Sequence, residues 1–368
     1  MVCTRLVRIG TEGMRPWLLI CASVLAFSCG ESRHASLRLR DQILVDGTGL
    51  TSIAPLDKEV TRVAAMSFSG ALYEVCYSSR TVAILLQRRI QRQPGDSSTC
   101  PIVASAPERD AVVACWGRLL GWLEWPGLRS LASTVTLTES AYALSFDPRE
   151  DRVLVPFGAD RLGQWKKGYQ SLRSIRQLPS AAIGARWWIN GIRSVAVSSS
   201  GSLIALARGG HVEVWETAER GMWGKLCSVQ ASRDALAQCV AFSPNSEFLY
   251  AGTSQGEIIA YSLLRRWVVQ RRLLSLDETK EPDCISTVVV SPSGEDVAVG
   301  GIGEPGGVYL LSRRCNILLD AQSTTTESIG LAVNGLVFSP DGTKLLTCDS
   351  KGILSVWDIQ KTGGQAPK

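Results

Sequence analysis

The residues that first suggest chemistry are short glycine motifs. The stretch GTSQG, residues 252–256, matches the G-x-S-x-G nucleophile elbow and centres it on Ser254. That elbow needs a strand, a sharp turn and then a helix, with a histidine supplied later in the chain. EIIAYSL follows and reads as a strand, while His34 and His211, the only two histidines, both precede the motif. Ser254 is therefore expected in a hairpin turn. GIGEPG, residues 301–306, matches G-x-G-x-x-G, whose phosphate grip depends on the N-terminus of a following helix. Pro305 and the strand-like VYLL come next, so a glycine-rich hairpin loop carrying Gly303 and Glu304 is expected. Two distant histidines cannot build a histidine-rich metal centre, and no catalytic residue, metal or cofactor is expected.

Recognition chemistry is better represented. ARWWINGI, residues 185–192, brings Arg186, Trp187 and Trp188 together, and Trp and Arg dominate binding hot spots. Packing against neighbouring structure is the competing role for these rings. Basic doublets stand at Arg88–Arg89, Arg265–Arg266 and Arg271–Arg272. They could bind an anionic partner or shield an exposed strand edge from pairing. Lys and Arg total 39 against 34 Asp and Glu, a net charge of +5, too little over this length to suggest nucleic acid as partner.

What positions these residues is a repeat. GLVFSPDGTKLLTCDSKGILSVWDI, from Gly335, contains three apolar, β-rich runs separated by two turns. Related units start at Val63, Ile102, Ala143, Ser194, Cys239 and Thr287, which makes seven. Their first turns are marked by Gly70, Pro107, Pro148, Ser199, Pro244, Pro292 and Pro340, on average 45 residues apart. An aromatic lies 15–17 residues further on in six units, as Trp122, Trp165, Trp215, Tyr261, Tyr309 and Trp357. Apolar stretches such as GKLCSVQ and WVVQRRLLSL supply a fourth strand. Four strands repeating about every 40–45 residues describe a propeller blade.

The terminal SPDG with VWD resembles the WD40 family, from about Val63 to Ile359, with TolB-like propellers as the nearest alternative. The expected fold is all-β, a seven-bladed β-propeller of four-stranded antiparallel blades. The last unit ends after its third strand, so SLRLRDQILV, residues 36–45, is expected to supply the fourth and close the ring. The resemblance implies a non-catalytic scaffold that binds a protein partner on the face shared by the fourth-to-first connections and the second-to-third turns. That face would carry Arg186, Trp187, Trp188, Gly303 and Glu304. A propeller hydrolase or lactonase with its site at the central channel is the alternative. It would need acidic, His or Asn residues at the channel-facing starts of several blades, and no such set recurs.

The N-terminus reads as a targeting segment. Arg5, Arg8 and Arg15 precede the apolar run WLLICASVLAF, whose 11 residues suit a signal-peptide core and fall short of a spanning helix. Ala26 and Ser28 then place small residues before Cys29, and LAFSC resembles the lipobox of bacterial lipoproteins. The resemblance implies acylation of Cys29 and anchoring to a membrane, with plain export and an uncleaved N-terminus as alternatives. The expected organisation is a signal peptide at 1–28, with translation starting at Met1 or Met14, a linker at 29–35, the propeller at 36–360 and a polar tail at 361–368. The protein is expected as an exported monomer of the cell envelope. Of 11 cysteines, eight remain once Cys3, Cys21 and Cys29 are set aside. That even number could pair, but Cys76, Cys115 and Cys348 fall at one repeat position that wants a small buried side chain, so free thiols are expected.

Overall fold

The structure, a computed structural model, describes residues 35–87, 101–106, 111–124, 133–147, 149, 152–158, 160–177, 191–217, 223–232, 234–274, 284–303, 307–314, 317–324 and 332–361. β1 (Ala35–Leu44) comes first. Blade 1 is β2 (Leu50–Pro55), β3 (Arg62–Ser67), β4 (Ala71–Cys76) and β5 (Thr81–Gln87). Blade 2 is β6 (Ile102–Ala106), β7 (Ala111–Trp116), β8 (Leu119–Glu124) and β9 (Ser133–Thr136). Blade 3 is β10 (Ser145–Phe146), β11 (Arg152–Phe157), β12 (Arg161–Lys166) and β13 (Arg173–Gln177). Blade 4 is β14 (Ile192–Val197), β15 (Leu203–Arg208), β16 (His211–Thr217) and β17 (Trp223–Gln230). Blade 5 is β18 (Ala237–Phe242), β19 (Phe248–Thr253), β20 (Glu257–Ser262) and β21 (Trp267–Leu273). Blade 6 is β22 (Cys284–Val290), β23 (Asp296–Ile302), β24 (Val308–Arg314) and β25 (Ile317–Thr324). Blade 7 is β26 (Val333–Phe338), β27 (Lys344–Asp349) and β28 (Ile353–Lys361), with β1 as its outer strand.

Each blade is an antiparallel sheet of four strands, so the fold is the expected seven-bladed all-β propeller. A blade has two apolar faces and can bury them only against its neighbours. Seven apolar clusters result, one at every junction around the ring. The cluster between blades 7 and 1 joins Leu346, Cys348, Leu354 and Val356 to Ile53, Val63, Tyr73 and Val75. Burying one such aliphatic side chain contributes about 1.5–3 kcal/mol, which makes each junction a substantial part of the stability.

Ring closure is a strand pairing. β1 runs antiparallel to β28 from Ala35 opposite Lys361 to Leu44 opposite Ile353. Beyond it, the Val45 N–H donates to the Gly352 carbonyl at 2.9 Å. Gly352 has φ +84°, and a Cβ there would sit 1.5 Å from the Asp46 carbonyl oxygen. Only glycine admits both the backbone conformation and the approach.

The turns after the first strands share one device. In blades 4 to 7 the buried Ser198, Ser243, Ser291 and Ser339 each accept, at Oγ, the backbone N–H five residues ahead, at 2.9–3.0 Å. Each serine N–H also donates to the carbonyl of that same residue. In blade 3 Asp147 replaces the serine and holds Arg152, with Nη2 at 2.6 Å from Oδ2.

Three expectations need correction. First, the unit beginning at Val63 is displaced by one strand. Gly70 ends the second-to-third turn of blade 1, where Ser67 Oγ accepts the Ala71 N–H at 3.2 Å and so imitates the serine turn in a different place. The strand inside it is β2, and the true first turn is held by Asp57, which accepts the Thr61 N–H at 2.7 Å. Second, Trp122 lies on the opposite face from its supposed equivalents. Trp165, Trp215, Tyr261 and Trp357 stand opposite the second residue of the preceding strand, whereas Trp122 stands opposite the third, Val113. A one-residue displacement in a strand turns the side chain to the other face. Third, Cys76 ends a third strand and is half-exposed, while Cys115 and Cys348 lie buried in second strands.

Candidate functional site

The seven innermost strands surround a central channel with a cavity of about 240 Å³. Every blade lines it, with Ser52, Ile102, Tyr142, Arg193, Gln238 and Ser286 from blades 1 to 6 and Asn334 from blade 7. For Arg193, Gln238, Ser286 and Asn334 the way to the axis is a local backbone feature. In five blades the pairing of first and second strands skips one residue, and the residues left over are Thr51, Arg193, Gln238, Ser286 and Asn334. Such a β-bulge bends the strand and re-aims the extra side chain.

Four of the five re-aimed side chains reach the next blade. Thr51 Oγ1 donates to the Pro101 carbonyl of the segment leading into blade 2, and Asn334 Nδ2 donates to the Leu50 carbonyl at 2.7 Å. Ser286 Oγ donates to the Val333 carbonyl, and Arg193 Nη1 donates to Gln238 Oε1 at 3.1 Å. Beside them Ser52 Oγ accepts the Val103 N–H at 2.9 Å, and Ser194 Oγ accepts the Val240 N–H at 3.3 Å. A buried hydroxyl or amide left without a partner would cost about 1–3 kcal/mol. These bonds therefore hold the inner strands in register across blade boundaries.

Among the described residues that line the cavity, Arg193 is the one charged side chain. Burial lowers the pKa of Arg193 from its ordinary value, opposed by attraction to Cys284 and Tyr142. Among the described residues lining the cavity there is no Asp, Glu or His. Among the described residues no cluster of His, Cys, Asp and Glu could hold a metal ion.

GTSQG is a hairpin turn, and of GIGEPG the described residues Gly301 and Ile302 end β23. Ser254 follows β19, and its Oγ accepts the Leu236 N–H at 2.9 Å, while Gly256 takes φ +73° before β20. In blade 6 the Gly301 N–H donates to the Gly307 carbonyl at 2.9 Å across the hairpin, with Gly303 half-buried at its shoulder. His211 opens β16 and is exposed. Glu304 lies outside the described residues, as do Arg186, Trp187, Trp188, the doublet Arg88–Arg89 and Cys29 with the whole segment before residue 35. Of the residues singled out for partner contact, the structure thus describes Gly303. What the sequence reading missed is the bulged ring. Its signal was present, since Arg193, Gln238 and Asn334 all occupy the second position of IRSVAV, AQCVAF and VNGLVF.

With this geometry in view, comparison with known proteins agrees. Residues 323–358, which include most of blade 7, match the WD domain, G-beta repeat family. Over 128 residues the chain is 28% identical to Periodic tryptophan protein 2 of Saccharomyces cerevisiae, a stretch covering 35% of this chain and 13% of that protein.

Proposed function

We propose that this protein is a non-catalytic interaction scaffold, exported and held at a membrane through a lipid on Cys29. One observation carries the scaffold reading. The polar side chains that reach the channel from blades 1, 4, 6 and 7, namely Ser52, Arg193, Ser286 and Asn334, are bonded to the neighbouring blade, so they serve the rigidity of the ring. A rigid ring presents its loops in a fixed arrangement, which is what a binding platform needs. The WD40 repeat of blade 7 supports the same reading.

Strand direction alternates within each blade, so fourth-to-first connections and second-to-third turns emerge on one face. In sequence, Arg186, Trp187 and Trp188 fall in the stretch between β13 and β14, and Gly303 and Glu304 in the stretch between β23 and β24, and the described strand ends that these stretches join lie at that face. We assign partner contact to it, by a monomeric propeller. The test combines Trp187→Ala with Trp188→Ala. Truncating hot-spot tryptophans commonly costs about 2 kcal/mol or more of binding each. Loss of partner capture at unchanged melting temperature supports the assignment. A melting point several degrees lower with capture intact makes the pair packing residues. Anchoring is tested separately by Cys29→Ala, which should move the protein from the membrane to the soluble fraction; unchanged partitioning refutes the lipid.

A further inference from the structure

We propose that the outer edge of blade 5 is a contact site for an anionic lipid surface. The edge consists of the turn between β20 and β21 together with β21, whose sequence from Leu264 to Leu273 is LRRWVVQRRL. It holds four arginines and no acidic residue.

The turn is built to project an apolar side chain. The Arg266 N–H donates to the Ser262 carbonyl at 2.8 Å, and the Arg265 N–H donates to Ser262 Oγ at 3.2 Å. Arg266 takes φ +58°, a conformation rare for a residue with a Cβ. Leu264 stands at the apex and is 83% exposed, more than any other large apolar side chain described. Trp267, which starts the edge strand, is 56% exposed, and Leu273 at its far end is 59% exposed. The Arg265 guanidinium lies 5.8 Å from the centre of the Trp267 ring. Further along, Arg271 bonds Glu257 and donates to the Gln230 carbonyl, which compensates its charge.

Edge protection accounts for the arginines, because cations on an outer strand discourage pairing with another chain. It does not account for an exposed leucine and tryptophan beside them. Apolar side chains that project among guanidinium groups suit the headgroup region of a bilayer, where the aliphatic tip enters the acyl boundary and the indole sits at the interface. The arginines meet lipid phosphates, each adding attraction to an anionic leaflet. The edge is the outside of a ring rather than a cleft, whereas a small ligand needs concavity. Single-stranded nucleic acid would need aromatic faces for bases to stack on, and the most exposed side chain here is a leucine.

This contact is independent of Cys29. It is tested with the full-length chain, as wild type and as Cys29→Ser, by sedimentation with vesicles of phosphatidylcholine alone or mixed with phosphatidylglycerol. Leu264→Ser with Trp267→Ser, and Arg265→Glu with Arg266→Glu, should each weaken binding to the anionic vesicles about tenfold or more. Arg265→Lys with Arg266→Lys should stay within about twofold of wild type, showing that charge and not fold was lost. Quenching by brominated lipid should be smaller for Trp267→Phe than for wild type. Wild-type binding by both disruptive variants overturns the proposal. So does a charge-reversal variant that loses heparin or DNA binding and keeps its vesicle binding. Failure of acylation at Cys29 would shift every variant alike and is thereby told apart.

Discussion

Trp122 and Trp165 meet edge to face across the junction of blades 2 and 3, with ring centroids 5.7 Å apart and planes at 82°. Both are buried, at 1% and 0% exposure, and the pair is possible because Trp122 points forward to the next blade while Trp165 points back. Their polar ends differ. Trp165 Nε1 donates to the Tyr169 carbonyl at 2.9 Å, whereas Trp122 Nε1 has no hydrogen-bond acceptor among the described residues. Truncation of either to Ala should cost about 3–5 kcal/mol. Replacement by Phe should separate them, with Trp165→Phe costing about 1 kcal/mol more than Trp122→Phe because only Trp165 gives up a hydrogen bond. Urea denaturation of the two variants measures this, and equal losses would contradict it.

Ring closure puts a second demand on single positions. Gly352→Ala should destabilise the propeller by several kcal/mol, since the new methyl meets the Asp46 carbonyl and the backbone is left-handed there. Deleting residues 36–45 should lower the melting temperature far more than deleting the tail from residue 362, because it removes the partner of β28 along its length. Matching melting curves for the two truncations would refute this.

The turn after β1 carries a pH-dependent contribution. Burial works to raise the Asp46 carboxyl, but hydrogen bonds from the Thr48 N–H and hydroxyl, from Ser67 and from the Tyr73 hydroxyl bring it down to about 2. The same pair, with burial, pushes Tyr73 up to about 12. A carboxyl depressed on folding stabilises above its unfolded value of about 3.9 and loses that contribution as pH falls toward its folded value. Asp46→Asn should cost about 1 kcal/mol at neutral pH, discounted for partial exposure. The gap from wild type should close between about pH 4 and pH 2. A gap independent of pH would show that shape, not charge, matters at this site.

The thiols should react in a defined order. None of the six described cysteines, Cys76, Cys115, Cys227, Cys239, Cys284 and Cys348, is in a disulfide. Hydrogen bonds from Ser78 and Ser79 bring Cys76 down to about 7, while burial pushes Cys115 and Cys239 up to about 12 and raises Cys348 as well. Because the thiolate is the nucleophile, iodoacetamide at neutral pH should alkylate Cys76 at least about a hundredfold faster than Cys115, Cys239 or Cys348 in the folded protein. Mass spectrometry that finds Cys115 labelled as fast as Cys76 would refute the order.

The architecture was legible in the chain because its signals are local. A serine or aspartate that caps a turn, an apolar alternation and a third-strand aromatic each act within one blade, and repetition multiplies them; Trp165, Trp215, Tyr261, Tyr309 and Trp357 are buried in third strands as that pattern requires. Blade 1 shows where locality fails. Ser67–Gly70 forms a turn of the same chemistry one strand later, and only the pairing of β2 with β3 reveals it, because hydrogen-bond partners between strands are not written in either strand alone. The facing of Trp122 and the bulges that turn Thr51, Arg193, Ser286 and Asn334 toward the next blade likewise hang on a register of one residue. Composition and spacing determine that a propeller forms and that it has seven blades. Which side chains face the channel, which face a neighbouring blade and which project from the edge, as Leu264 and Trp267 do, is decided by register and by ring closure, which are properties of the assembled sheets.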